Sequence, residues 1–314
     1  MRVAIAGAGP AGALAAILAQ RAGLEVDLIT LGAGLAEDSA QAAHVHILRE
    51  GVGATLGTLD PDLSRHLHAL TERDHRWMRP DGQVYRADRL SREGLMRALR
   101  AVLRDRGLHP RAAHTETLSP AAADLWIDAS GGSRALLRHA EALGIGQLTL
   151  DDLGEPQVWE TRLWGRALPG APFTLVAPGR IYLQSGAGQT RMTGPLLAEP
   201  SPLADPRARM APPDDLPSML THLTDPPDQS WRAVGPPPRL ARWSADRDGP
   251  RLLPFGDALL QTPPRLGHGL MALAEQAVIL QAHLADPGQC LAALTDWGEA
   301  LWISAALHMS DAPA

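Results

Sequence analysis

Gly7-Ala8-Gly9-Pro10-Ala11-Gly12 follows a short strand-like segment at residues 2–6, apolar from Val3, and precedes an alanine-rich segment at 13–22. Glycine at the first position of such a pattern permits a tight turn. At the second it lets a pyrophosphate reach the backbone, and at the third it lets a helix pack closely on a strand. The N–H groups and the positive dipole end of the helix then face the phosphates. A glycine-rich turn without a ligand is the plainer alternative, and the strand before and helix after the turn weigh against it.

A second group lies near the other end: Phe255-Gly256-Asp257, then Pro263-Pro264, then Gly267-His268-Gly269-Leu270-Met271. A strand here delivers an aspartate, and a glycine-bounded turn opens a helix. Asp257 can accept hydrogen bonds from sugar hydroxyls. The helix start at Gly269, Leu270 and Met271 can stabilise negative charge on a reduced ring. Residues 41–49 place His44 and His46 on one side of an extended segment, with Arg49 just beyond. Either histidine can serve as acid, base or hydrogen-bond donor, or can simply pack beside a cofactor. Arg49 can pair with a pyrophosphate. A metal reading of His-x-His lacks further ligands nearby. His66 and His68 read as an exposed helix face.

The elements that must hold these residues follow a recognisable order. A strand at 2–6, a helix at 13–22 and a strand at 25–31 make a βαβ unit. A helix is predicted at 46–56, a hairpin at 73–86 with Asp81-Gly82 as its turn, and a helix at 91–106 with Ser91 as its N-cap. In that helix Leu95, Leu99, Val102 and Leu103 share one face. Buried strands are predicted at 124–129 and 251–257, and helices at 269–285 and 290–308. Between 155 and 245 short strands alternate with dense proline, which predicts a small antiparallel sheet and irregular connections. Leu216, Met219, Leu220 and Leu223 suggest one packed helical turn there. Trp159, Trp164, Trp231 and Trp243 fall in the same stretch, as an aromatic pocket or as core.

Composition closes off other classes. The 314 residues carry a net charge of −6, with 45% hydrophobic and 20% charged residues, a globular balance. No basic stripe interleaves with aromatics, so no nucleic-acid partner is expected. Cys290 is the single cysteine, which excludes an internal disulfide and a cysteine metal cage. The chain has no lysine, so Schiff-base and P-loop lysine chemistry is excluded. No apolar run is long enough to span a membrane, and no signal segment is evident, which predicts a cytoplasmic protein.

Together the two glycine groups resemble the FAD signatures of the class A flavoprotein monooxygenases, the aromatic hydroxylases with the para-hydroxybenzoate hydroxylase fold. Gly7, Gly9 and Gly12 match the first signature. Gly256, Asp257, Pro264, Gly267 and Gly269 match the second. Residues 124–131 occupy a third element, with Ser130-Gly131 where the family has Asp-Gly. This Asp-Ala-Ser-Gly form is similar to that of flavin halogenases and isoprenoid-modifying flavoenzymes. Ser91-Arg92 resembles the family's arginine helix, whose arginine lies near the FAD. The family usually ends its second strand with an acidic residue; here Thr30 stands there, with Glu37 and Asp38 in the loop beyond.

The resemblance implies an α/β fold. It consists of a Rossmann-like FAD-binding domain (1–72, 88–154 and 246–285), a smaller antiparallel β-sheet substrate domain (73–87 and 155–245) and a C-terminal helix within 286–314. It implies FAD, with NADH or NADPH as reductant, held by Gly7, Gly9, Pro10, Ala11, Gly12, Arg49, Arg92, Ser130, Gly131, Asp257, Gly267, Gly269, Leu270 and Met271. His44 or His46 would act on the substrate. The reaction implied is hydroxylation, through a flavin hydroperoxide formed from molecular oxygen, of an electron-rich aromatic acceptor. A small substrate domain favours a bulky acceptor, up to an aromatic side chain such as Trp on a protein. An isoprenoid-modifying reductase, a halogenase and a non-catalytic flavin-binding partner are the alternatives. The halogenase is disfavoured because that class relays hypohalous acid through a lysine.

Overall fold

The structure, a computed structural model, describes all residues except 32–50, 79–82, 120–121, 155, 169–170, 178–180, 187, 196–222, 224, 236, 246–250, 263–267 and 311–314. The first half of the chain runs β1 (Arg2–Ala6), α1 (Pro10–Arg21), β2 (Glu25–Leu31), α2 (Val52–Leu59), α3 (Pro61–Leu70), β3 (Glu72–Met78), β4 (Val84–Arg89), α4 (Arg92–Asp105), β5 (Arg111–Ala113), β6 (Leu125–Asp128) and α5 (Ala135–Ala142). The second half runs β7 (Gly146–Asp152), β8 (Gln157–Trp164), β9 (Phe173–Ala177), β10 (Ile181–Gly186), β11 (Gln189–Pro195), β12 (Gln229–Gly235), β13 (Arg239–Ala245), β14 (Arg251–Pro254), β15 (Leu260–Gln261), α6 (Gly269–His283) and α7 (Pro287–Ser310).

A five-stranded parallel sheet, ordered β14-β6-β1-β2-β5, carries the nucleotide-type half. Val3 to Ala6 are almost fully buried, as a central parallel strand covered on both faces must be. α1 starts at Pro10, three residues before the sequence predicts, because proline suits the first helical position. Its run from Gly12 to Ala19 is buried throughout, so small side chains serve close packing against β1 and α4. α4 is amphipathic as expected: Ser91 Oγ accepts the Gly94 N–H at 2.9 Å, and Leu95, Leu99, Val102 and Leu103 are buried. The helix predicted at 46–56 is described from Val52 and ends at Leu59. There Asp60 starts α3 by accepting the Asp62 and Leu63 N–H groups.

A seven-stranded sheet, ordered β12-β8-β11-β10-β9-β3-β4, forms the second layer system. The β3–β4 hairpin enters it through a parallel pairing of β3 with β9; the other neighbours are antiparallel. Its proposed turn at Asp81-Gly82 lies outside the described residues. One face packs Met78, Trp164, Phe173, Leu175, Leu183, Met192 and Leu223 into a separate core. Residues 216–222 lie outside the described residues. This sheet is larger and more regular than the proline-rich composition suggests. A third sheet, β15-β13-β7, was not anticipated; it pairs Leu240 with Asp151 and Trp243 with Leu148. The alternation of buried Leu240, Ala241 and Trp243 with more exposed arginines is its sequence signal, masked by the neighbouring prolines.

Candidate functional site

The two glycine groups meet at the first turn of α1. Gly7 has φ +115°, and a Cβ there would lie 2.2 Å from the Ala129 carbonyl oxygen, so only glycine lets β1 pass the end of β6. A Cβ on Gly12 would lie 1.7 Å from the Gly7 carbonyl oxygen. Gly9 differs. Its φ of −72° is ordinary, and a Cβ there would meet nothing within 4 Å. It is the N-cap of α1 and offers no side-chain acceptor, so no cap side chain satisfies the first-turn N–H groups. Gly256 has φ +66°, and a Cβ there would come within 2.6 Å of Ala11 Cβ. Its N–H donates to the buried Gln276 Oε1 at 2.7 Å. The Gly256–Ala258 turn is thereby clamped between α1 and α6.

Asp257 is exposed on the side of this turn yet surrounded by protein, as a carboxylate on the floor of a cleft would be. That enclosure raises its pKa, against the pull of the Arg92 and Arg134 guanidiniums. Arg92 begins α4; burial lowers its pKa and Asp257 opposes the shift. Arg134 is fully buried in a left-handed conformation, φ +51°. It donates to the carbonyls of Gly132 (2.9 Å), Ala258 (3.1 Å) and Arg239 (3.4 Å). Burial pulls its pKa down to about 10. It ties the 131–133 turn to the Asp257 turn and to β13. Neither Arg134 nor Gln276 stands out in the sequence.

The end of β6 is organised by Asp128, which is buried and accepts the Ser130 and Leu137 N–H groups, each at 2.9 Å. Burial raises its pKa. The Ser130 hydroxyl accepts the Ala135 N–H at 2.8 Å, so its side chain is spent on starting α5, and Ser130 is the residue before the Gly131–Ser133 turn. Gly269, Leu270 and Met271 form the half-buried first turn of α6. Thr30 is half-buried near the end of β2. His44, His46, Arg49 and Gly267, with Pro263 and Pro264, lie outside the described residues, as do Glu37 and Asp38.

Beside this turn system, a cavity of about 520 Å³ opens between the start of α4 and the polar face of the seven-stranded sheet. Glu72, His75, Arg89, Arg92, Gln184 and Arg191 are among its walls. Arg92 therefore borders the cavity and faces Asp257 electrostatically. His75 is buried; its Nε2 lies 3.0 Å from Thr174 Oγ1 and its Nδ1 3.1 Å from the Glu72 carboxylate. Arg89 donates to Glu72 at 2.7 Å, and the His75 and Arg89 contacts hold the Glu72 pKa down to about 2. None of Trp159, Trp164, Trp231 and Trp243 lines this cavity. Trp164 and Trp243 belong to apolar cores. Among the described residues no group of three His, Cys, Asp or Glu could hold a metal, and no helix is long and apolar enough to cross a membrane.

No protein-family model matches the chain, and no curated protein matches it. Solved structures do. Klebsiella pneumoniae HpxO complexed with FAD and uric acid superposes with a TM-score of 0.66 at 20% identity, over 97% of this chain and 87% of that one. This chain has the fold of the flavin-dependent oxygenases and halogenases. A variant of the flavin-dependent brominase Bmp2 gives 0.65 at 14% identity, over 94% of this chain and 84% of that one. The peptidyl tryptophan dihydroxylase QhpG, essential for tryptophylquinone cofactor biogenesis, gives 0.58 at 20% identity, over 91% of this chain and 67% of that one.

Proposed function

We propose that this protein is a cytoplasmic FAD-dependent monooxygenase that hydroxylates an electron-rich aromatic acceptor, with NADH or NADPH as reductant. One observation carries the reading: two glycine turns converge on the start of α1, leaving open space at Gly9, with Asp257 on the second turn and its electrostatic partner Arg92 lining the adjoining polar cavity. That donor set fits a dinucleotide. The α1 start at Gly9, Pro10, Ala11 and Gly12, with Arg49, would hold the pyrophosphate. Asp257, Ser130 and Gly131 would meet hydroxyls, and Gly269, Leu270 and Met271, with Gly267, would border the ring. When bound, FAD supplies two-electron chemistry and reductive activation of oxygen. The chain's own tasks are to position the acceptor in the cavity, exclude water, and move the acceptor's proton with a histidine, His44 or His46. Overall, acceptor C–H, O2, NAD(P)H and a proton give acceptor C–OH, NAD(P)⁺ and water.

The cofactor-binding part is taken as 1–72, 88–154 and 246–285, the acceptor-binding part as 73–87 and 155–245, and 286–314 as a closing helical segment. A bulky acceptor, up to a tryptophan side chain of a protein, is supported by the likeness to QhpG. The likeness to a brominase has a counterweight: a relay lysine is what halogenation requires, and this chain has none. Purification and spectroscopy test the reading. The protein should be yellow, and NADH or NADPH should bleach it and consume oxygen. A colourless protein that takes up no FAD overturns it.

A further inference from the structure

We infer that two copies of this chain associate through β4, edge to edge and antiparallel about a two-fold axis at Ala87, which brings the partner's Tyr85 beside Arg89 at the wall of the cavity. β4 is the last strand of the seven-stranded sheet, and among the described residues no strand pairs with its outer side. Such an edge is a template for another strand. The devices that blunt edges are missing from it. It holds no proline or lysine, the extra residue of the hairpin sits on β3 between Glu72 and His75, and Val84 and Tyr85 are exposed.

The sequence of β4 selects the register. Residues opposite each other in an antiparallel pair point to the same face, so the axis passes through a residue and not between two. Centred on Ala87, the strands set Arg86 against Asp88 in both directions, Tyr85 against Arg89, and the small Ala87 against itself. Centred on Arg86 or on Asp88, they set like charges face to face. Arg86 and Asp88 are exposed, and within the chain they hold Asp74 (2.7 Å) and Arg73. Pairing therefore completes a row of alternating charge: Asp74, Arg86, the partner's Asp88, the partner's Arg73. β12, at the opposite edge, carries the single charge Arg232, and no register of it with itself sets opposite charges together. Tyr85, Ala87 and Arg89 lie opposite Trp77, His75 and Glu72, so they share the face that carries the cavity. Tyr85 stacks on Trp77, and Arg89 lines the cavity. The partner's Tyr85 meets Arg89 as ring to cation, which adds a wall beside the cavity. Six-residue strands alone bury less than about 1,200 Å² between them, the size of a weak and reversible contact, so the dimer forms in the micromolar range.

Sedimentation velocity of the protein as purified, from about 1 to 300 µM, tests this. A monomer–dimer equilibrium is expected, and salt should weaken it. Arg86→Glu and Asp88→Arg should each weaken self-association roughly 10- to 100-fold, because each sets like charges together at both pairs. Mixed in equal amounts, the two variants should associate with each other, since the opposite charges then meet again. The double variant Arg86→Glu/Asp88→Arg should dimerise for the same reason. Ala87→Cys gives a readout that needs no charge change. Cα atoms of directly opposite residues lie about 4.5–5.5 Å apart, within disulfide reach, so mild oxidation should link two copies through it. Val84→Cys, three residues from the axis, should stay unlinked under the same oxidant. A protein that is monomeric throughout the range overturns the inference. So does a dimer that neither charge variant weakens, a pair of single variants that do not associate when mixed, or an Ala87→Cys protein that forms no linked dimer. These readouts need no flavin, so a colourless protein overturns the flavin reading and leaves this one standing.

Discussion

Gly9 and Gly12 are three residues apart, and their substitution should fail in opposite ways. A side chain on Gly12 would collide with the Gly7 carbonyl, so Gly12→Ala should cost ~3 kcal/mol or more of stability, as buried steric insertions do. A side chain on Gly9 enters open space with an ordinary φ, so Gly9→Leu should fold to within about 0.5–1 kcal/mol of the parent. It should nevertheless lose FAD, because it fills the place the pyrophosphate would take. Denaturation of the flavin-free forms and flavin content after purification check both, and normal flavin in Gly9→Leu would sink the assignment. Asp257→Ala should leave the fold intact, since the residue is exposed on its turn, while weakening FAD binding roughly 10- to 100-fold. An unchanged FAD dissociation constant and flavin reduction rate would reduce Asp257 to a turn residue. The glycines and Asp257 were legible because backbone constraints leave a signature in residue type. Arg134 and Gln276, which hold the Asp257 turn, were not: a buried arginine bonded to carbonyls, or a buried glutamine in a helix, looks like its exposed counterpart in sequence.

At the scale of elements, local signals decided what could be read. Ser91 followed by an apolar stripe announced α4, and an apolar run before glycines announced β1 and α1. β12 and β13 were obscured because the prolines around them read as connection, and the cavity wall was hidden because β10–β11 register follows from tertiary pairing. The β3 side of that wall carries a titratable contact whose effect can be signed. Glu72 has its pKa lowered from the usual 4.5 to about 2 by His75 and Arg89. A lowered carboxylate pKa adds stability above the unfolded value and loses it as pH falls from 4.5 toward 2. Its side chain is 51% exposed, so screening keeps the contribution below ~1 kcal/mol. Glu72→Gln should therefore be slightly less stable than the parent at neutral pH, with the gap closing through that acid window. Parallel stability curves for the two proteins from neutral pH to pH 2 would show that the contact contributes nothing.

The whole molecule sets how well the site is sealed. The seven-stranded sheet forms a broad wall on one side of the cavity, which opens between that wall and the start of α4. A cavity walled in this way closes best around an acceptor that itself fills the gap. An acceptor that is too small leaves a path for water, and activated oxygen is then lost as hydrogen peroxide instead of entering the ring. Substrate size should therefore govern coupling more than rate. With NAD(P)H and oxygen alone, or with a small neutral phenol, most reducing equivalents should appear as peroxide. With a bulky aromatic acceptor, up to a tryptophan in a peptide, the peroxide share should fall below about half as hydroxylated product rises, since the acceptor now excludes the water. Stoichiometric assay of NAD(P)H, peroxide and product in one vessel measures this directly. Tight coupling with a small free phenol would mean that the protein seals the site by itself, and the argument from acceptor bulk would fall.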